Sequence, residues 1–217
     1  GAMTQVLLRF AAQCVGHKRG GLGYANVISA ALFSGISGSA LADAAEPGAM
    51  MIRMMEKSGY DRAYAGALTA SAAVMGPIIP PSIIMIIYAL QVENVSVGAL
   101  FIAGIIPGIV IAVALCITNF FVSRRRGYRA AGERPPVREM VRTTIHALPA
   151  LFLIVLIIGG IRGGIFTPTE ASVVAVFYAL ACGMFVYRSL RLVDLPDIVY
   201  RSALVSAAVL IILAASQ

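Results

Sequence analysis

Residues 63–92 form a run of thirty residues without a single charged side chain, interrupted near its middle by Gly76-Pro77-Ile78-Ile79-Pro80-Pro81-Ser82. As one α-helix the run would be about 45 Å long at roughly 1.5 Å per residue, well beyond the roughly 30 Å of hydrocarbon in a bilayer. Three prolines in five residues remove three backbone donors and disturb the helical bonds one turn earlier. The run therefore predicts two half-helices joined by non-helical backbone. In hydrocarbon each unpaired backbone group costs several kcal/mol, so such a break survives only where protein buries it or where it lines a cavity.

Composition decides that hydrocarbon is the right solvent. Apolar residues are 59% and charged residues 12% of the 217, against about 45–50% and about 25% in soluble domains. The fold class predicted is therefore an all-α, polytopic integral membrane protein. Further uncharged runs fall at residues 20–42, 97–123, 147–161, 171–187 and 202–217.

Charge gives orientation. Residues 124–142 carry seven arginines against Glu133 and Glu139, which places this connector in the cytoplasm. Residues 97–123 then descend from an outside turn at Glu93, and residues 63–92 rise from a cytoplasmic turn. His17-Lys18-Arg19 and residues 53–62 both stay inside only if residues 20–58 enter and leave the same face as a re-entrant helical hairpin. With that choice every Lys and Arg except Arg9 and Arg162 is cytoplasmic. The predicted turn of the hairpin, residues 34–39, is built of Gly and Ser, which tolerate unusual backbone angles and offer oxygen ligands. Asp43 follows on the second arm, where a carboxylate must face protein, water or an ion.

Two breaks close in sequence predict one site. Carbonyls released around Gly76, Pro77 and Pro80 can coordinate a cation. The half-helix starting at Pro81-Ser82 offers free N–H groups and a positive dipole end to an anion. The competing reading is packing: a Gly-Pro kink, and a small-residue helix contact at the Ser-rich turn.

Other features point to no different chemistry. Cys14, Cys116 and Cys182 lie scattered in apolar stretches and read as packing residues. His17 and His146 lack metal-ligand spacing, so no cofactor is expected. Met50, Met51, Met54 and Met55 recur at helical spacing and read as gap-fillers. Arg124-Arg125-Arg126 reads as an anchor at the bilayer surface, with no nucleic-acid partner. The partial G-x-S-x-G match at Gly35-Ile36-Ser37-Gly38 lacks its strand–turn–helix context. A membrane enzyme and a passive channel are the alternatives from other classes, with another ion-coupled anion symporter nearer by.

At these same residues the sequence resembles the large membrane subunit of the tripartite ATP-independent periplasmic (TRAP) transporters, the DctM-like family. The resemblance is carried, in order, by Arg19-Gly20-Gly21-Leu22, Ser34-Gly35-Ile36-Ser37-Gly38-Ser39-Ala40-Leu41-Ala42-Asp43, Gly59-Tyr60, Gly76-Pro77-Ile78-Ile79-Pro80-Pro81-Ser82, Pro107-Gly108 and Thr167-Pro168-Thr169-Glu170-Ala171. It implies a multi-pass protein of the bacterial inner membrane, built of inverted repeats and moving as an elevator. It also implies import of organic acids, often C4-dicarboxylates or sialic acid, driven by Na⁺. The implied partners are a small membrane subunit and a periplasmic solute-binding protein.

On that resemblance the chain divides into residues 1–19 (end of a preceding helix and a cytoplasmic turn), 20–58 (re-entrant hairpin), 61–92 (broken helix), 97–123 (transmembrane helix), 124–146 (basic connector) and 147–217 (first spans of a second repeat). The second hairpin is expected beyond this sequence, which reads as a piece of a longer protein. The site residues implied are Ser34, Gly35, Ser37, Gly38 and Ser39 at the hairpin tip and Gly76, Pro77, Pro80, Pro81 and Ser82 at the break, with Na⁺ near Ser37, Ser39 and Gly76. Asp43 reads equally as an ion ligand or a hydrogen-bonded helix carboxylate. Thr167, Thr169 and Glu170 read either as site contributors or as a helix start in which Thr169 caps and Glu170 meets the positive end.

Overall fold

The computed structural model describes all residues except Gly1, Glu93, Ala131, Glu133, Arg134, Ser216 and Gln217. The expected outside turn at Glu93 and the connector residues Glu133 and Arg134 thus lie outside the described residues. Among the described residues there is no strand. The helices in order are α1 (Ala2–Val15), α2 (Gly21–Ser37), α3 (Ala40–Asp43), α4 (Ala49–Lys57), α5 (Arg62–Ala73), α6 (Ile83–Gln91), α7 (Val97–Arg126), α8 (Val137–Arg162), α9 (Pro168–Ala181) and α10 (Leu195–Ala215). Among the described residues three segments are long and apolar enough to cross a membrane: Val97–Arg126, Val137–Arg162 and Pro168–Val186.

The hairpin arms are α2 and the segment α3–α4. Only Gly38 and Ser39 separate them, so the interruption is shorter than the six residues expected from sequence. Ser34, Gly35, Ile36 and Ser37 stay helical, and the Ser34 hydroxyl is satisfied by the Ala30 carbonyl, 2.7 Å away, inside its own helix. Gly38 then ends α2 in the left-handed region (φ 61°), with its amide on the Ser34 carbonyl, a conformation that a side chain disfavours. In the second arm Pro47 cannot donate, and the helix widens to a π turn over Ala44–Gly48 before α4 resumes.

The break after α5 runs from Val74 to Ser82 and contains no helix. With twelve residues in α5 and nine in α6, the halves are about 18 Å and 14 Å long, and neither alone matches the hydrocarbon thickness. By contrast α7 continues through Pro107 for 30 residues and takes in Arg124, Arg125 and Arg126. Helix α8 begins at Val137, so both ends of the basic connector are helical.

The core gathers α1, α2, α4 and α5 around fully buried Leu7, Leu8, Met51, Met55, Ala65 and Met75. Met50 and Met54 pack against it from the side, in keeping with the gap-filling expected of these methionines. A buried polar knot fixes the base of the hairpin. Asn119 of α7 donates to the Gly20 carbonyl at 3.0 Å and accepts from the Tyr64 hydroxyl at 2.9 Å and the Ser123 hydroxyl at 3.2 Å. Beside it Tyr128 stacks on Tyr60 with ring centroids 4.2 Å apart.

Candidate functional site

The turn between α2 and α3 meets the break between α5 and α6. A methyl group placed on Gly76 would lie 2.8 Å from the Ala40 nitrogen, the Ser39 carbonyl carbon and Asp43 Oδ2. One placed on Gly38 would fall 2.5 Å from the Pro81 carbonyl oxygen and 3.2 Å from the Ile83 nitrogen. Each break thus fits against a glycine of the other. The structure brings Gly38, Ser39 and Asp43 together with Gly76, Pro81 and Ser82, residues 40 positions apart in the chain.

Asp43 is the chemical centre of this contact. It is buried (4% exposed). Its Oδ1 accepts from the Ser37 hydroxyl at 2.5 Å and its Oδ2 from the Ser34 hydroxyl at 3.4 Å. Among the described residues no basic side chain pairs with it. Ser37 Oγ also accepts from the Ser39 amide at 3.2 Å, and Ser39 Oγ accepts from the Ala42 amide at 3.4 Å. Two serine hydroxyls therefore hold one carboxylate, with Ser39 tied to Ser37 beside them, and hydroxyl, carboxylate and carbonyl oxygens are hard donors suited to a hard cation. Gly35 lies on the far side of α2, facing Ile154 of α8, and so is brought to α8 rather than to Asp43.

At the break, Ser82 is fully buried and donates to the Pro77 carbonyl at 2.6 Å while accepting from the Met85 amide at 3.2 Å as the N-cap of α6. The Pro77 carbonyl, expected to be free, is therefore occupied. Among the described residues the carbonyls of Gly76, Ile78, Ile79 and Pro80 accept no hydrogen bond, and the Ile83 and Ile84 amides donate none. Unpaired acceptors just before a helix start and unpaired donors at it are what a cation and an anion, respectively, require. Pro80 is fully buried, and its peptide bond to Pro81 is cis.

Thr167, Thr169 and Glu170 form a separate feature. Thr167, not Thr169, caps α9: its hydroxyl accepts from the Glu170 amide, and the Glu170 carboxylate accepts from the Thr167 amide at 2.8 Å. A Thr at the position before Pro168 closes this reciprocal box because the proline, first in the helix, needs no partner for its nitrogen. These three residues are exposed and belong to the start of α9.

Sequence reasoning missed two contributors. Gly104 on α7 sits where a side chain would strike the Ile78 carbonyl and Met85, and Gly108 where one would strike Ile79. Their four-residue spacing was the available signal, a small-residue stripe that lets backbone approach. The second is the buried pair Asn26 and Thr69, 2.7 Å apart, which ties α2 to α5 midway along the hairpin.

Against known proteins, the family model for the tripartite ATP-independent periplasmic transporter, DctM component, matches residues 1–217. The chain is 41% identical over 207 residues to the sialic acid TRAP transporter large permease protein SiaM of Vibrio cholerae, covering 95% of this chain and 48% of that protein. It is 40% identical over 214 residues to the C4-dicarboxylate TRAP transporter large permease protein DctM of Pseudomonas aeruginosa, covering 99% and 50%. With the 2,3-diketo-L-gulonate TRAP transporter large permease protein YiaN of Escherichia coli it shares 36% identity over 217 residues, covering 100% and 51%. The chain thus spans about half the length of these curated relatives.

Proposed function

The chain belongs to the family of the DctM component of tripartite ATP-independent periplasmic transporters, and from that premise we propose that it supplies one ion- and substrate-handling repeat of a Na⁺-coupled importer of organic acids. The protein acts as a transporter and not as an enzyme, in line with relatives named as permeases. Its substrate class is small carboxylates of the dicarboxylate, sialic-acid or sugar-acid kind, the range that the names of its relatives span. It works in the bacterial inner membrane with a small membrane subunit and a periplasmic solute-binding protein that delivers the acid.

One observation carries this reading: a buried carboxylate, Asp43, held only by serines, stands where two non-helical segments meet. An unpaired carboxylate in a low-dielectric setting is costly, and a cation is the natural remedy. Sodium binds among Ser37, Ser39, Asp43 and the carbonyls beside Gly76, drawing the hairpin tip onto the break. That ordering sets the Ile83 and Ile84 amides at the start of α6 to receive a substrate carboxylate. Coupling of this kind is worth about 1–3 kcal/mol, or roughly 5–150-fold in affinity. The residues 20–58 hairpin re-enters from the cytoplasmic face, and the loaded body crosses as an elevator.

The test is uptake by the full-length protein reconstituted with its small subunit and binding protein. Replacing external sodium by choline is expected to abolish uptake, as is Ser37→Ala combined with Pro80→Ala. Uptake that ignores the sodium gradient overturns the proposal.

A further inference from the structure

Among the described residues three buried side-chain atoms have no hydrogen-bond partner: Gln13 Oε1, His17 Nδ1 and the Tyr60 hydroxyl. Two of the three, those of Gln13 and His17, belong to the lining of one cavity of about 420 Å³. It lies between the end of α1, the end of α4 and the start of α8, with Arg9, Lys57 and Glu139 as its charged residues and Leu22 and Met54 as apolar wall. Its size falls in the roughly 300–1,000 Å³ range of small-ligand sites. Leu22 lies in the first turn of α2 and Ser37 ends it, so about 22 Å of helix separates this cavity from the Asp43 cluster.

We propose that this cavity binds an anionic phosphodiester carrying a hydroxyl beyond the phosphate, the shared chemistry of a phosphatidylglycerol headgroup and of a soluble glycerophosphodiester. Charge comes first. Among the described residues Arg9 and Lys57 against Glu139 leave one uncompensated positive charge in the lining, which one phosphodiester neutralises and a dicarboxylate would overshoot. Arginine's planar fork suits the two non-bridging oxygens, and Lys57 adds a second cation.

The orphan atoms then select the rest of the ligand. Gln13 donates its amide nitrogen to Glu139 Oε1 at 3.4 Å, which turns Gln13 Oε1 away from the acid and leaves it short of a donor. Buried polar atoms of this kind are nearly always satisfied. A glycerol hydroxyl supplies the missing hydrogen, and His17 Nδ1 meets the phosphate or a second hydroxyl. Leu22 and Met54 pack against the carbon chain between the polar groups. Basic side chains at a membrane's surface already favour anionic headgroups, and here Arg9 and Lys57 stand on the rim of one open pocket beside Gln13 and His17. The proposal stands apart from sodium coupling and survives or fails independently of it.

The experiment uses the full-length permease, delipidated and reloaded with dioleoylphosphatidylglycerol, with bound lipid counted by native mass spectrometry. One retained lipid is expected, and Arg9→Gln combined with Lys57→Gln lowers its retention at least tenfold. Arg201→Gln, which removes an exposed ion pair with Asp197 on α10, leaves it unchanged. Equal retention in the double variant overturns the proposal, as does equally tight binding of phosphatidylcholine, whose headgroup has no donor. A second measurement needs no variant: carbethoxylation of His17 by diethyl pyrocarbonate in the wild type. The reaction should slow at least fivefold with phosphatidylglycerol, and an unchanged rate with both lipid and soluble sn-glycero-phosphoglycerol overturns the site. Protection by the lipid alone assigns a headgroup, and equal protection by the soluble compound assigns a free phosphodiester.

Discussion

The two ends of this chain use the same kinds of residue in opposite ways. From α1 to α5 the protein buries its polar groups: Asn26, Ser29, Ser34, Asp43 and Thr69 are all inside. From α9 to α10 the large apolar side chains face outward, with Val176 58%, Phe177 69% and Ile211 68% exposed. In water the second pattern would aggregate and the first would be costly. In a bilayer the outward apolar faces meet lipid or further protein, and the inward polar groups have no water to fall back on. The contrast teaches where to look for function: hydroxyls and a carboxylate that a membrane protein keeps at depth are there for a solute or for each other.

Substitutions in the first region should be severe and those in the second mild, which makes the comparison breakable. The largest effect is expected from Asp43→Asn, which keeps the shape and removes the charge on which the proposed sodium site depends. Uptake should fall at least a hundredfold with the protein still monodisperse, and uptake within a factor of three of wild type would remove Asp43 from the site.

Next comes Gly76→Ala. Its methyl meets two backbone atoms and the Asp43 carboxylate at 2.8 Å, so hairpin and break must separate, at a cost of about 1–3 kcal/mol. A loss of sodium affinity near tenfold is expected, read as the sodium concentration that gives half-maximal uptake.

Asn119→Ala sharpens the contrast from another side, since it should damage stability more than transport selectivity. It strands the Gly20 carbonyl and the Tyr64 hydroxyl, costing about 1–3 kcal/mol. The check is a lowered thermal midpoint with the half-maximal sodium concentration unchanged.

The smallest effect belongs to the second region. Thr167→Ala opens the capping box of α9 and should cost about 1 kcal/mol of stability, with uptake within a factor of two. A strong transport defect with intact stability would instead move Thr167 into the site.

Much of this layout was legible before any coordinates. Charge placement favoured a hairpin turning near residues 34–39, and the length of the apolar run with its three prolines pointed to a break at 76–82. Proline and glycine announce themselves by backbone chemistry, and Asp43 by its cost. What stayed hidden depends on contacts between distant segments. Nothing in the sequence around Asn119 says that its amide reaches Gly20, 99 residues earlier, and one polar residue in an apolar helix has no period to detect. The turn was read as six residues long because serine and glycine signal tolerance of irregular backbone, whereas in the fold Ser34 and Ser37 remain in the helix and their hydroxyls are satisfied by Ala30 and Asp43. The cap of α9 was placed on Thr169 instead of Thr167 because two threonines flank one proline. The proline at the first helical position decides between them.

The central claim is that sodium binds where the hairpin turn meets the helix break, next to Asp43. Equilibrium sodium binding to the full-length permease by isothermal titration calorimetry, with choline as the control ion, tests it most directly. The account predicts a saturable sodium heat in the wild type that vanishes in Asp43→Asn. A sodium affinity in Asp43→Asn equal to that of the wild type would contradict it.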